Sequence, residues 1–313
     1  AQAESQQYTT LTVSSQKHVG FSFTSEEMTM KLDDYADLVL KPRISQLAAS
    51  VDADVANAYK QIYQSVGTPG TTPATSLVLL QGQQKLNEMA AEESPRYATV
   101  NPAANAALVE GMKGFFNPTS VIDRQFRSGM MGSDTLAYSE INMSQSIKVH
   151  TTGDWGTTIT STGTLSTQGQ ATLPISFTGS SKTWKIGDVF TIADVYAVNP
   201  QTRESTGSLQ QFVVTGDITA SSTGTLAISP AIYTSASPLA TVNSFPQAAE
   251  AVTMLGTANT ASYPQNLIYH KNAITFATAD LILPRGVDMA ARAQHNGISL
   301  RVLRDYDPIN DQM

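Results

Sequence analysis

Residues Trp184–Val214 read WKIGDVFTIADVYAVNPQTRESTGSLQQFVV, and their β-branched and aromatic residues come in short bursts. One burst is Asp188–Val195 and the next is Leu209–Thr215, with polar and Gly-containing sequence between them. Two further bursts flank this stretch, at Thr172–Phe177 and Thr225–Ser229. Turn signals recur about every ten to fifteen residues, which is typical of all-β sandwiches and barrels.

The surrounding zone differs in composition from the rest of the chain. Between Thr151 and Phe245 there are 8 charged residues in 95, against 37 in the other 218, and Ser and Thr supply about a third of the positions. So abrupt a change indicates a separate folding unit. We predict a separate small β-domain over about Gln145–Phe245, with the strand pattern of a sandwich or a barrel.

The sequence before this zone is predicted to be helical. Apolar residues spaced by three and four predict one long helix over Pro42–Val66, with Pro42 in its first turn. About 25 residues at 1.5 Å each would make a rod of roughly 37 Å. The stop signal Gly67-Thr68-Pro69-Gly70 follows it. The apolar stripe comprises Ile44, Leu47, Val51, Val55, Tyr59, Ile62 and Val66.

Further helices and single strands are predicted on both sides of the β zone. Leu77, Leu80 and Met89 are the expected core positions of the second helix. Alternating short helices and strands indicate an α+β unit, into which the β-domain is inserted. The predicted elements are helices at Pro73–Glu93, Pro102–Phe116 and Gln247–Leu255 and strands at Arg96–Asn101, Leu267–Ala277 and Ile298–Tyr306.

Composition excludes several classes of protein. The formal net charge is −7 and no Lys/Arg cluster exists, which argues against a nucleic-acid binder. The absence of Cys excludes disulfides and thiolate metal sites. No apolar run is long enough for a membrane span, and the polar start, Ala1–Thr10, is no secretory signal. The sequence does not begin with Met, so we expect a longer gene product.

No catalytic, cofactor or metal site is predicted. His18, His150, His270 and His295 are scattered without ligand-like spacing, and no phosphate loop, nucleophile elbow or dinucleotide fingerprint occurs. The acids near Asp305 lack the spacing of a calcium loop. A hydrolase hypothesis would be revived by a deep pocket that gathers His150 or His270 with carboxylates.

Three long stretches resemble the coat proteins of the P-twenty-two-type podophage family. The first begins HVGFSFTSEEM at His18 and continues through LDDY at Leu32 and LKPRI at Leu40. The second is Trp184–Val214, quoted above. The third is NLIYHKNAITFATADL, Asn266–Leu281, followed by ISLRV at Ile298.

This resemblance implies the Hong Kong 97-type capsid fold with an inserted all-β barrel. It assigns residues 1–20 to part of an E-loop strand, 21–66 to a P-domain with its spine helix, and 67–144 to the first part of an A-domain. Residues 145–246 would be the inserted barrel. Residues 247–313 would return through the A-domain to P-domain strands.

The function implied is that of a major capsid protein, with no enzymatic activity and no cofactor. The chain would assemble into pentamers and hexamers of an icosahedral shell that encloses phage DNA without sequence-specific binding. A scaffolding protein and a portal would take part in assembly. We expect no membrane partner, synthesis in the host cytoplasm and location in the virion.

Six charged or titratable residues are predicted to contact neighbouring subunits. Arg is enriched at interfaces and binds carboxylates through two parallel hydrogen bonds. The alternative is that they are solvated surface residues. The six are Lys17, His18, Arg124, Arg127, Arg285 and Arg292.

Two other functions remain open. An encapsulin-like compartment shares the implied fold and would hold cargo enzyme in place of DNA. A β-rich adhesin or other surface-binding module would suit the Ser/Thr-rich zone, but the missing signal peptide and the long helix argue against it.

Overall fold

The computed structural model describes residues 10–20, 22, 41–112, 132–258, 261–295 and 298–306. The chain forms two compact units. The terminal unit comprises Ala1–Val55 and Ile274–Met313, and the central unit comprises Ala56–Ala273.

The secondary structure of the described residues is mixed. The helices are α1 (Lys41–Ala56), α2 (Ser76–Glu88) and α3 (Pro102–Gly111), with a 3₁₀ turn at Asn57–Gln61. The strands are β1 (Arg96–Val100), β2 (Gly132–Thr135), β3 (Tyr138–Met143), β4 (Val149–Thr151), β5 (Thr157–Ser161), β6 (Gln170–Thr178), β7 (Lys182–Trp184), β8 (Val189–Val198), β9 (Ser205–Val214), β10 (Ile218–Ala220), β11 (Thr223–Ile232), β12 (Val252–Met254), β13 (Ser262–Pro264), β14 (Leu267–His270), β15 (Met289–His295) and β16 (Ile298–Arg304).

The central unit contains a six-stranded sheet of order β12-β8-β9-β11-β6-β5. Its edges meet where Thr160 of β5 forms an antiparallel bridge with Ala251, just before β12. The sheet is therefore nearly closed, in agreement with the predicted all-β barrel. Strands β6, β8, β9 and β11 confirm all four bursts of β-forming sequence.

Aromatic side chains fill the barrel. Trp184, Phe190 and Phe212 have no exposed surface. The rings of Phe190 and Phe212 stack with centroids 5.7 Å apart, and Phe177 meets Trp184 edge-on at 4.8 Å. Such pairs add to the free energy that burial of their area contributes.

The barrel is inserted into a smaller α+β core. A four-stranded sheet of order β14-β1-β3-β2 takes β14 from beyond the barrel and the other three strands from before it. The chain enters the barrel through β4 and leaves through β13, and these two strands pair antiparallel. The entry and exit therefore lie side by side, as an insertion requires.

Helices α2 and α3 cover the four-stranded sheet. Leu79 and Gly82 are the buried positions of α2, and a Cβ at Gly82 would lie 2.4 Å from the Ile268 side chain. A larger residue at this position would therefore require the Ile268 side chain to shift. Asn101 caps α3, since its Oδ1 accepts a hydrogen bond from the Ala104 amide at 2.9 Å.

The long helix predicted over Pro42–Val66 is wrong in its extent. α1 ends at Ala56, so its 16 residues span about 24 Å. The 3₁₀ turn follows, and Ile62 is extended with φ −90° and ψ 116°. Tyr59 lies in this turn and is buried in the central unit, so its apolar character marks a core contact and not a continuing helical stripe.

Other local predictions also fail. The helix expected over Gln247–Leu255 is wrong, because Val252–Met254 forms β12 and pairs with β8. The helix predicted over Pro73–Glu93 is shorter, and Leu77 and Leu80 are 60% and 44% exposed.

The predicted third helix ends at Gly111, and Phe116 lies outside the described residues. The strand expected in residues 1–20 is absent from the described residues 10–20, which form neither helix nor strand.

Candidate functional site

The terminal unit lacks a core among its described residues. None of them is buried, whereas every buried residue lies between Tyr59 and Val252 of the central unit. Exposed apolar surface on this scale is typical of interaction sites. The large apolar side chains exposed in this unit are Leu11, Val13, Ile44, Phe276, Leu281, Ile282, Leu283, Met289, Val302, Leu303 and Tyr306.

The β15–β16 ribbon is the regular sheet of the terminal unit. Its register places Ala291 opposite Val302 and Ala293 opposite Leu300, which gives one largely apolar face. Arg292 lies opposite Arg301 on the other face. The face of Arg292 and Arg301 also contains the Ala290–Leu303 pair, and the other face also contains Arg304.

A segment that we call the strap, Asp280–Leu283, is bound to Arg292 and Arg301. Nη1 of Arg292 donates to the Leu281 carbonyl at 3.5 Å and lies 3.8 Å from the Asp280 carboxylate. The Arg301 guanidinium donates to the Ile282 carbonyl. Both arginines thus have partners within their own chain.

The structure places four of the six predicted contact residues. Lys17 forms an ion pair with Asp54 at 2.8 Å, and His18 and Arg285 are exposed. Arg292 is bound to the strap. Arg124 and Arg127 lie outside the described residues. The contacts of all six with neighbouring subunits stay a prediction.

Arg301 was missed as a partner of Arg292. The alternation of Ile298, Leu300 and Val302 did predict that Arg301 lies on the polar face of a strand. The partner strand β15 contains three alanines among its seven residues and gives no β signal. The register that places Arg292 opposite Arg301 therefore could not be predicted from the sequence.

A second polar site is buried in the central unit, where the chain enters the barrel. His150 of β4 is held from both ring nitrogens: Nε2 lies 2.9 Å from Asp188 Oδ1, and Nδ1 lies 3.3 Å from the Tyr59 hydroxyl. The Tyr59 and His150 rings meet edge-on, with centroids 5.6 Å apart. The three side chains form one continuous network.

Asp188 is the centre of this network and is 1% exposed. Besides His150, its carboxylate accepts hydrogen bonds from Gly153 N at 3.3 Å, Trp155 Nε1 at 2.9 Å and Lys185 N at 2.7 Å. Four donors on one carboxylate offset the cost of removing its charge from water.

The same surroundings act on Tyr59. Burial, and secondarily the charge of Asp188, raises the pKa of the Tyr59 hydroxyl above its ordinary value. The hydroxyl therefore stays protonated and its ring fixes the 3₁₀ turn against the barrel entrance. The network thus joins the 3₁₀ turn, β4 and the turn before β8.

Two more side chains link the barrel to the rest of the central unit. Gln211 of β9 bonds both backbone groups of Ser65, with its Oε1 accepting from the Ser65 amide at 2.8 Å and its Nε2 donating to the carbonyl at 3.0 Å. Asn199 Nδ2 donates to the Glu88 carbonyl at 2.8 Å. The barrel is thus fixed at three separate points.

The described residues provide no support for hydrolytic chemistry. A groove of about 470 Å³ opens at the barrel seam between β5 and β12, lined by Trp155, Ile159 and Met254 among others, without histidine or carboxylate. His270 lies 3.3 Å from the largely exposed Glu92 carboxylate, which is a surface contact. The pocket that would revive the hydrolase hypothesis is not found there.

Among the described residues, no group of three or more His, Cys, Asp or Glu is placed to bind a metal. Within the same ranges, no helix is both long and apolar enough to cross a membrane.

Comparison with known proteins gives one extensive match. A family model described as P22 coat protein, gene protein 5, matches residues 6–312. No curated protein matches the chain. Among solved structures, the CUS-3 coat protein I-domain is 28% identical; the match covers 33% of this chain and 99% of that chain, with a TM-score of 0.25.

Proposed function

The chain belongs to the P22 coat protein family, and we propose that it builds a phage shell by completing between copies the core that the described residues of its terminal unit lack. Its family makes it a phage major capsid protein. The observation that carries the finer proposal is the lack of any buried residue among the described residues of the terminal unit.

The physical reason is the cost of exposed apolar area. Each Å² of apolar surface removed from water contributes about 25 cal/mol, so side chains such as Met289 and Val302, exposed by 48% and 45%, favour association. A shell subunit makes heterologous contacts that close into rings, and each copy covers surface on the next. The exposed apolar side chains of the terminal unit would therefore become buried by assembly.

The central unit would have a different role. Its barrel has its own aromatic core and is fixed by Tyr59–His150, Ser65–Gln211 and Glu88–Asn199 hydrogen bonds. It would fold within a single subunit, before assembly. We further propose the Hong Kong 97-type arrangement, with the E-loop, P-domain and A-domain segments given by the resemblance.

The proposed partners follow from the same function. The copies would form pentamers and hexamers, with a scaffolding protein and a portal assisting assembly in the host cytoplasm. The net charge of −7 suits a wall that encloses DNA without adhering to it. We propose no enzymatic activity, consistent with a family of structural proteins.

The proposal is tested by assembly of the purified full-length chain, with and without a scaffolding protein, followed by sedimentation and negative-stain microscopy. The expected result is closed shells with fivefold and sixfold capsomers. A chain that stays monomeric in both conditions would contradict it. Mature shells isolated from infected cells should hold DNA, whereas an enzyme cargo in place of DNA would favour the encapsulin-like alternative.

Hydrogen exchange supplies a control within the same molecule. The β15–β16 amides should exchange fast in free subunits and slowly in shells. The β8–β9 amides lie in the barrel core and should be protected in both. Equal protection of β15–β16 in the two states would show that the terminal unit is already covered in the monomer.

A further inference from the structure

Ile282 is the most exposed large apolar side chain among the described residues, at 85%. Its neighbours in the strap, Leu281 and Leu283, are 37% and 39% exposed. Three consecutive apolar residues on a surface segment are unfavourable in a free protein unless they have a function there.

Two arginines hold the backbone of the strap. Arg292 and Arg301 lie directly opposite each other on β15 and β16, and like charges in this position repel. The carbonyls of Leu281 and Ile282 and the carboxylate of Asp280 supply the negative partners that the two guanidinium groups need. Thr278 Oγ1 accepts from the Ser299 amide at 3.3 Å and fixes the start of the segment.

This arrangement fixes the backbone at Ile282 while leaving its side chain in water. An anchor whose backbone is already ordered loses less conformational entropy on binding than one in a free loop. We propose that Ile282 is an assembly anchor that inserts into an adjacent copy of this chain, and that Arg301 positions it. This inference rests on the proposed function as a shell subunit.

A second copy is the partner that the observations favour. The family is one whose members assemble with themselves, and the described residues of the terminal unit contain no buried site that could receive Ile282. The three apolar side chains of the strap offer no charge or hydrogen-bond donor for a nucleic acid or an anionic surface. An apolar recess on a neighbouring subunit is the chemistry that fits them.

The test compares the full-length chain with Ile282→Ser and Ile282→Leu in shell assembly, with a scaffolding protein present, while sedimentation measures the free subunit that coexists with shells. Ile282→Ser should raise that concentration by about tenfold or more, because the apolar burial is lost at each contact. Ile282→Leu should assemble nearly as the wild type does. Melting temperatures of the free subunits should be equal.

Two matched variants separate a specific anchor from a general effect. Leu239→Ser removes a side chain that is 53% exposed in the central unit and should leave assembly unchanged. Arg301→Gln should weaken assembly in the same direction as Ile282→Ser. Arg304→Gln, on the same strand but paired with Asp288, should not.

The other possible outcomes separate a failure of the proposed function from a failure of the anchor proposal. Failure of the wild type to form shells would overturn the proposed function itself. Normal assembly of Ile282→Ser beside normal wild-type shells would overturn only the anchor. A lower melting temperature of free Ile282→Ser would show that the side chain packs within its own subunit. An equal defect in Leu239→Ser would show that no particular apolar residue acts as the anchor.

Discussion

His150 Nε2 lies 2.9 Å from Asp188 Oδ1, although 38 residues separate the two in sequence. The side chains are 7% and 0% exposed. The pair joins β4, at the barrel entrance, to the turn that precedes β8. A break here should therefore act on the whole barrel and not on one loop.

Asp188→Asn should destabilise the subunit by about 3–5 kcal/mol. The Asn side chain would turn one of its own N–H groups toward N–H donors that now bond the Asp188 carboxylate. Urea unfolding followed by Trp fluorescence measures this directly, since Trp155 Nε1 is one of those donors. Asp217→Asn is the matched control: its ion pair with Lys185 is about half exposed, and its loss should cost about 1 kcal/mol or less. Equal effects of the two substitutions would contradict the structural role of the buried pair.

Gly187→Ala should destabilise the same network by about 1–3 kcal/mol, because Gly187 has φ +100°. The added Cβ would also lie 3.1 Å from the His150 ring and 3.2 Å from the Tyr59 ring. Gly163→Ala is the control, since a Cβ there meets nothing within 4 Å and should shift stability by no more than about 1 kcal/mol. The melting temperatures of both variants check the prediction, and no loss for Gly187→Ala would refute it.

The sequence predicted the barrel better than the rest because its strands repeat a short-range pattern. Each of β6, β8, β9 and β11 contains a burst of β-branched and aromatic residues that needs no distant information to recognise. The change in composition predicted a separate β-rich zone, although the six-stranded sheet continues past Phe245 to β12.

The wrong predictions concern elements whose structure depends on tertiary contacts. Residues 252–254 form a strand because they pair with the edge of β8. The local sequence contains no signal for this pairing. α1 ends at Ala56 because Tyr59 packs beside His150, which is 91 residues away. Leu79, not Leu77 or Leu80, is buried because its helix is oriented by the sheet beneath it.

The sites were harder to predict than the fold. The network around His150 could not be predicted, because its partners Tyr59 and Asp188 come from two other segments of the chain. The link between Arg292 and the strap required the register of β15, a strand too rich in alanine to be recognised.

Arg96→Met should lower the free energy of unfolding by at least about 3 kcal/mol, because Arg96 is 0% exposed and donates three hydrogen bonds. Its guanidinium bonds the Glu92 carbonyl, the Ala91 carbonyl and Asn87 Oδ1, each at 2.7 Å. These bonds fix the turn between α2 and β1. Chemical unfolding measures the loss, and Arg43→Met, at an exposed position of α1, should leave stability nearly unchanged. A similar small effect at Arg96 would mean that the turn is fixed by other contacts.

Glu250→Gln should stabilise the subunit at pH 7, and the gain should vanish in acid. Burial, and secondarily the charge of Asp194, raises the pKa of the Glu250 carboxyl, although the Gln247 amide partly opposes the shift. A carboxyl with a raised folded pKa binds its proton more tightly in the folded state than in the unfolded state. Its charged form therefore lowers stability at neutral pH, and that cost disappears as pH falls below the ordinary value of 4.5.

Substitution by Gln removes the charge and keeps the shape, so the free energy of unfolding should rise at pH 7. Thermal unfolding at pH 7 and pH 4 should show a higher melting temperature for Glu250→Gln only at pH 7. Glu204→Gln, at an exposed position, should match the wild type at both values. A gain of equal size at both pH values would trace the effect to packing or hydrogen bonding, and the charge of Glu250 would then play no part in the stability of the barrel seam.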